Sequence, residues 1–298
     1  MKKLFFLIAL SVMSLYAFDQ PKVIRTKAFK VEIYGKGRPM ILIPGLACSG
    51  EVWQAWVSRY QSEYECHVLT LGGFAGEASG ETPFLEKVRL NLSEYIASQQ
   101  LQNPIIVGHS LGGFLALSLA ASEPEKAGSL IIVDAVPFVG ALQDPSATAE
   151  SLAPQAEMLR GMIVKQSKDQ YTRQQAKVLA SMISDTANIR RVLQWGLASD
   201  FKMIGQAMYE MMTTDLRDAM VRIEAPTIVL GSWIAMKPYG LNSEQVKVNY
   251  LQQYQYLKGV SVTMAPAAKH FIMLDDPQWL FAQVDAFLSQ RSTAEGKK

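Results

Sequence analysis

The run Ile105-Ile106-Val107-Gly108-His109-Ser110-Leu111-Gly112-Gly113-Phe114 constrains this chain more than any other stretch. β-Branched residues favour a buried strand, and the small and apolar residues of LGGFLALSLAAS after the serine favour a helix. Between them stands Gly108-His109-Ser110-Leu111-Gly112, a Gly-x-Ser-x-Gly turn whose glycines allow the close packing of strand against helix. The string alone specifies little. Set between a buried strand and a small-residue helix, it specifies an elbow that exposes Ser110 beneath the positive end of that helix.

The rest of the chain repeats the strand–helix rhythm. AFKVEIYGKGRPMILIPG reads as a hairpin, two strands around a turn at Gly35-Lys36-Gly37. The runs HVLTL, PIIVG, SLIIVDA, APTIVLGS and VSVTMA are nearly continuous in apolarity, as strands buried on both faces of a parallel sheet are. The last helix begins at Pro277, with Asp276 as its N-cap, and runs to about Leu288. This alternation predicts an α/β fold with a doubly wound, mostly parallel sheet. One interval breaks the rhythm: from Phe138 to Arg222 only helix-like segments rich in Met, Leu, Gln and Ala occur. Connections between neighbouring strands are normally far shorter, so residues 138–222 are expected to form a helical cap above the sheet's C-terminal edge. Met158, Met162, Met182, Met203, Met208, Met211 and Met212 could line an adaptable pocket there, although helix packing accounts for most of them.

Residues 1–17 read as a signal peptide: Lys2 and Lys3, an apolar run from Leu4 to Leu15, and Ala17 before the cut. The apolar run is shorter than the roughly 20 residues of a spanning helix. The expected mature chain, 18–298, is therefore exported to the periplasm or beyond and not stably inserted in a membrane. The full 298 residues carry 29 basic and 27 acidic side chains. Loss of Lys2 and Lys3 leaves 27 against 27, and a neutral chain has no electrostatic footprint for nucleic acid. Cys48 and Cys66 could pair in an exported protein, but adjacent parallel strands would hold them at opposite ends of the sheet, which favours two free thiols. No His and Cys residues have zinc-ligand spacing, no phosphate-binding glycine motif is present, and no cofactor is implied.

On GHSLGG, IPGLACSG and AAKHFIMLDDP the chain resembles an α/β-hydrolase from its first strands to its terminal helix. The resemblance implies acyl-enzyme chemistry on Ser110. Of the three histidines, His67 opens a strand away from Ser110, and His109, inside the elbow, is expected to point elsewhere. His270 follows the last strand and is the candidate base, in the chain order Ser…Asp/Glu…His. The oxyanion hole is expected from the backbone N–H groups of Leu46 and Leu111, with Gly45 letting the first loop approach.

The family's acid commonly follows the penultimate strand, but VLGSWIAMKPYG has no carboxylate. A family variant places it after the preceding strand, here at Asp134; Asp215 and Glu244 are the alternatives. Trp53, Trp56, Tyr60 and Tyr64 are expected in the core beside the oxyanion loop, and GGFAGEASG is expected as a flexible loop lining the pocket. These residues together predict an exported serine hydrolase of carboxylic esters, with a small-molecule ester as its partner. Lactone hydrolysis or perhydrolysis on the same residues, and ligand binding without catalysis, are the other readings.

Overall fold

The computed structural model describes residues 20–142, 144 and 146–295, with side chains described to residue 290. The expected leader at 1–17 lies outside the described residues. Among those described, eight strands form one sheet: β1 (Lys22–Arg25), β2 (Phe29–Tyr34), β3 (Arg38–Ile43), β4 (Tyr64–Leu71), β5 (Ile105–His109), β6 (Ser129–Val133), β7 (Thr227–Gly231) and β8 (Ser261–Met264). Their spatial order is β1-β2-β4-β3-β5-β6-β7-β8. The run from β4 through β3, β5, β6 and β7 to β8 is parallel, and β1 and β2 add an antiparallel edge.

The expected hairpin is not one. β2 and β3 flank β4 on opposite sides, so the chain crosses beneath the entry to β4 instead of folding back on itself. That crossing requires its glycines: a Cβ on Gly35 would lie 2.1 Å from the Gln61 carbonyl oxygen, and one on Gly37 would lie 2.3 Å from that of Glu63. Both residues also have positive φ.

Helices cover both faces of the sheet. They are α1 (Gln54–Tyr60), α2 (Phe84–Ser98), α3 (Leu111–Ser122), α8 (Ser243–Gln253), α9 (Ile272–Asp275) and α10 (Pro277–Glu295). Asp276 accepts from the Trp279 N–H at 3.1 Å, the expected cap of α10. α3 is buried nearly all round, from Leu111 to Ala121, as a helix in a sandwiched layer must be. Trp53 and Trp56 meet edge to face at 5.4 Å and extend through Tyr60 to Tyr64 and Phe281, core packing under α10. Cys48 and Cys66 are free and buried, and burial pushes each thiol up to about 12.

Between β6 and β7 stand α4 (Ala149–Lys165), α5 (Lys168–Met182), α6 (Thr186–Ala198) and α7 (Phe201–Thr213). Each opens on a side chain that accepts from its own first turn: Thr148, Ser167, Asp185 and Asp200. α4 packs on α7 and α5 on α6. The buried Glu210 of α7 accepts the N–H groups of Phe84 and Leu85, both at 2.7 Å, which fastens this layer to the first turn of α2. The loop of residues 72–80 is a second fastening. Its Gly73 carbonyl accepts the Asp200 N–H, its Ala75 N–H donates to Ser199 Oγ, and its Ser79 hydroxyl donates to Asp200. This loop holds the cap and, contrary to expectation, is absent from the lining of the cavity below.

No described helix is long and apolar enough to cross a membrane.

Candidate active site

Ser110 joins β5 to α3 with φ 53° and ψ −118°, a conformation that a residue with a Cβ adopts only under strain. The surrounding structure imposes it. The Ser110 N–H donates to the Val133 carbonyl at 3.0 Å, and the Ser110 carbonyl already accepts from Phe114 in α3. The two glycines of the motif are sterically required. A Cβ on Gly108 would lie 2.2 Å from the Gly112 carbonyl oxygen, and one on Gly112 would lie 2.2 Å from that of Ile43.

Asp134 follows β6 directly and also has positive φ, at 47°. Its own N–H donates to the Leu230 carbonyl at 2.8 Å, which ties this turn to β7. The buried carboxylate accepts four hydrogen bonds. Oδ1 takes the Ser232 N–H at 2.6 Å and the Tyr250 hydroxyl at 2.7 Å; Oδ2 takes the Ser232 hydroxyl at 2.8 Å and His270 Nδ1 at 2.6 Å. Burial alone would raise its pKa. The bonds from His270, Tyr250 and Ser232 outweigh burial and hold the carboxyl below its ordinary value. An ionised carboxylate only accepts, so His270 Nδ1 carries a proton, and in the neutral imidazole the lone pair is on Nε2.

Of the other candidate acids, Asp215 is engaged by the Arg217 guanidinium at 2.6 Å and Glu244 is exposed in the first turn of α8. Ser232 and Tyr250 were not legible as site residues. Ser232 opens the loop after β7, the loop in which the resemblance implied a carboxylate, and it supplies two donors to Asp134.

Ser110, His270 and the Gly45-Leu46-Ala47 loop line one cavity of about 200 Å³. Among the described residues the N–H groups of Leu46 and Leu111 have no hydrogen-bond acceptor. Gly45 allows the first loop to close on the elbow, since a Cβ there would lie 2.9 Å from His109 Nδ1 and 3.4 Å from Ser110 Cβ. The rest of the lining comes largely from the cap and is mainly apolar, including Ile163, Leu179, Met182, Ile204, Met208 and Met211. Of the methionines singled out in the sequence, Met158 and Met162 are exposed, and Met203 is buried near Gly73.

Of the remaining histidines, His67 stays away from the site as expected, although it does not open its strand, and His109 does not point where it was expected to. His67 lies within β4, bonded to the Tyr95 hydroxyl and to Glu65, and takes no part in the cavity. His109 does not point away from the site: its ring lies 4.6 Å from that of His270 and lines the same cavity. The loop that carries His270 folds back over the elbow, a contact no local pattern announces. That loop is also joined to the cap. The Phe271 N–H donates to the Met182 carbonyl at 3.2 Å, and Lys269 Nζ donates to the carbonyls of Ala180 and Ile183 at 2.7 and 3.2 Å. Asp275 closes the seam by accepting from the Lys269 N–H and from both donors of Ser184. Among the described residues no group of His, Cys, Asp and Glu could hold a metal ion.

A parallel sheet that holds a strained serine at a strand–helix elbow, close to a histidine bonded to a buried carboxylate, is the frame of a nucleophile-elbow enzyme. The chain belongs to the alpha/beta hydrolase family, which it matches over residues 40–283. It is 28% identical over 264 residues to a pimeloyl-[acyl-carrier protein] methyl ester esterase of Aeromonas hydrophila, covering 87% of this chain and 98% of that protein. A hydrolase from Pseudomonas aeruginosa PA01 shares the fold with a TM-score of 0.72 at 16% identity, over 90% of this chain and 98% of that one. The enol-lactonase from Burkholderia xenovorans LB400 does so with a TM-score of 0.71 at 14% identity, over 88% and 96%.

Proposed function

We propose that the protein is a carboxylic ester hydrolase that works through Ser110, His270 and Asp134. The observation that carries this reading is the 2.6 Å contact between Asp134 and Nδ1 of His270, a histidine that lines one cavity with the strained Ser110. Ser110 Oγ attacks the ester carbonyl and gives its proton to His270 Nε2. The N–H groups of Leu46 and Leu111 stabilise the oxyanion, and Asp134 stabilises the imidazolium. His270 then protonates the departing alcohol. Water attacks the acyl-enzyme with the same histidine as base, and the acid leaves as Ser110 regains its proton.

The mainly apolar lining suits an aliphatic acyl group and disfavours a free charge, which would be buried there without a partner. The similarity to an esterase acting on a methyl ester agrees with an aliphatic ester as substrate. The cap, expected over 138–222, is the part that sets acyl size, and export by the segment 1–17 belongs to the same reading. N-terminal sequencing of the secreted or periplasmic protein tests export; a chain still starting at Met1 refutes it.

A fluorophosphonate probe tests the chemistry. It is expected to add to Ser110 in the folded protein and not after Ser110→Ala. Wild-type protein that remains unlabelled and cleaves none of a panel of p-nitrophenyl esters and lactones overturns the proposal.

A further inference from the structure

His109 touches more of the site than its place in the motif suggests. It is fully buried, and Nε2 lies 3.1 Å from the main-chain carbonyl of His270 itself. A carbonyl only accepts, so Nε2 carries the ring proton and donates it there. The ring meets His270 at 4.6 Å and Phe271 at 4.7 Å between centroids. The remaining nitrogen, Nδ1, is buried with no hydrogen-bond partner and faces Gly45, so close that a Cβ on Gly45 would lie 2.9 Å away. One imidazole therefore bears on the loop of the base through a hydrogen bond and on the oxyanion loop through direct packing. Its backbone is the residue before the nucleophile.

We propose that His109 is a positioning residue that fixes the main chain of His270 against the Gly45–Leu46 loop, so that base and oxyanion donors keep their spacing around Ser110. The proposal rests on the serine-hydrolase reading above. Packing alone would be served by any apolar side chain of similar length. The buried N–H to carbonyl bond would not, because its loss leaves the His270 carbonyl without that donor and frees the loop to shift. Displacements of about 1 Å in such a constellation reduce turnover by about a hundredfold. The role needs a neutral ring. Burial, together with the neighbouring His270, lowers the pKa of His109 well below the ordinary histidine value, with Asp134 the other titratable group that faces it.

The test compares His109→Gln with His109→Met, two side chains of similar length of which only the first carries a donor that can reach the His270 carbonyl. Wild-type protein is first tested with the fluorophosphonate probe and the ester and lactone panel; failure in both refutes the hydrolase reading and not the role of His109. With a labelled wild type, His109→Met is expected to lower kcat about 10- to 100-fold with KM within about twofold. His109→Gln is expected to keep kcat within about threefold of wild type by restoring the donor. The probe's labelling rate should follow kcat. Equal kcat for the two variants overturns the proposal, as does loss that appears in KM alone. Should the Met variant not fold, His109→Leu takes its place in the same comparison.

Discussion

Replacing Asp134 with Asn tests the reading at its most exposed joint. The amide has one acceptor oxygen in place of two, while four donors converge on this side chain. If the oxygen stays at the Oδ1 position, it keeps the Ser232 N–H and the Tyr250 hydroxyl. The NH2 then occupies the Oδ2 position, where the Ser232 hydroxyl can rotate to accept but His270 Nδ1–H meets a donor. If the amide turns over, the Ser232 N–H, which cannot rotate, loses its acceptor in a buried site at a cost of about 1–3 kcal/mol. An imidazole changes tautomer more cheaply, so the first arrangement wins and His270 is left with its proton on Nε2, facing away from Asp134. A base in that tautomer cannot take the proton of Ser110. The expected loss in kcat is about 10⁴-fold, close to 5 kcal/mol of transition-state stabilisation, with KM little changed. The assay is steady-state hydrolysis of two short-chain p-nitrophenyl esters, with the thermal midpoint measured beside it. A folded Asp134→Asn protein that keeps kcat within tenfold of wild type on both esters refutes this assignment.

Two further outcomes follow from groups outside the reacting centre. Glu210→Ala leaves the Phe84 and Leu85 N–H groups and the Gln206 amide without their acceptor. It should cost about 2–4 kcal/mol, read as a fall in the urea midpoint; an unchanged midpoint would show that the cap does not lean on α2 through this carboxylate. On acidification, His109 and His67 resist protonation in the folded chain, both chiefly because of burial, whereas in the unfolded chain they titrate near 6.5. Stability should therefore fall as pH drops below about 6.5, by up to about 1.4 kcal/mol per pH unit for each histidine. Asp134, with its pKa lowered, adds a loss only below about pH 4. Urea midpoints that stay level between pH 7 and pH 5 would contradict this.

Much of the site could be read from the chain because its devices are local. Gly108 and Gly112, set between β-branched residues and a small-residue helix, announce the elbow, and Asp134 is marked by its place at the end of an apolar strand. The cap helices fill an interval that its strand-free run of Met, Leu, Gln and Ala marked as helical. What escaped depends on distant chain. β1 is a short edge strand, KVIR, mostly exposed, with no apolar alternation to reveal it. The insertion of β4 between β2 and β3 is a matter of sheet order, on which a strand's own residues are silent. The direction of His109 is set by the backbone of His270, and the support of Asp134 by Ser232 and Tyr250, all far along the chain.

The seam between the His270 loop and the end of α5 bears on how such a protein can be rebuilt. Lys269 and Phe271 stand on either side of the base, and both take their footing from carbonyls of Ala180, Met182 and Ile183. A cap transplanted from another protein would have to present three carbonyls at the same points, with a Ser184 equivalent for Asp275, or the base would lose its lateral support. Cap and histidine loop thus form one unit of exchange, and a chimera that takes a foreign cap has to take the matching 269–275 loop with it.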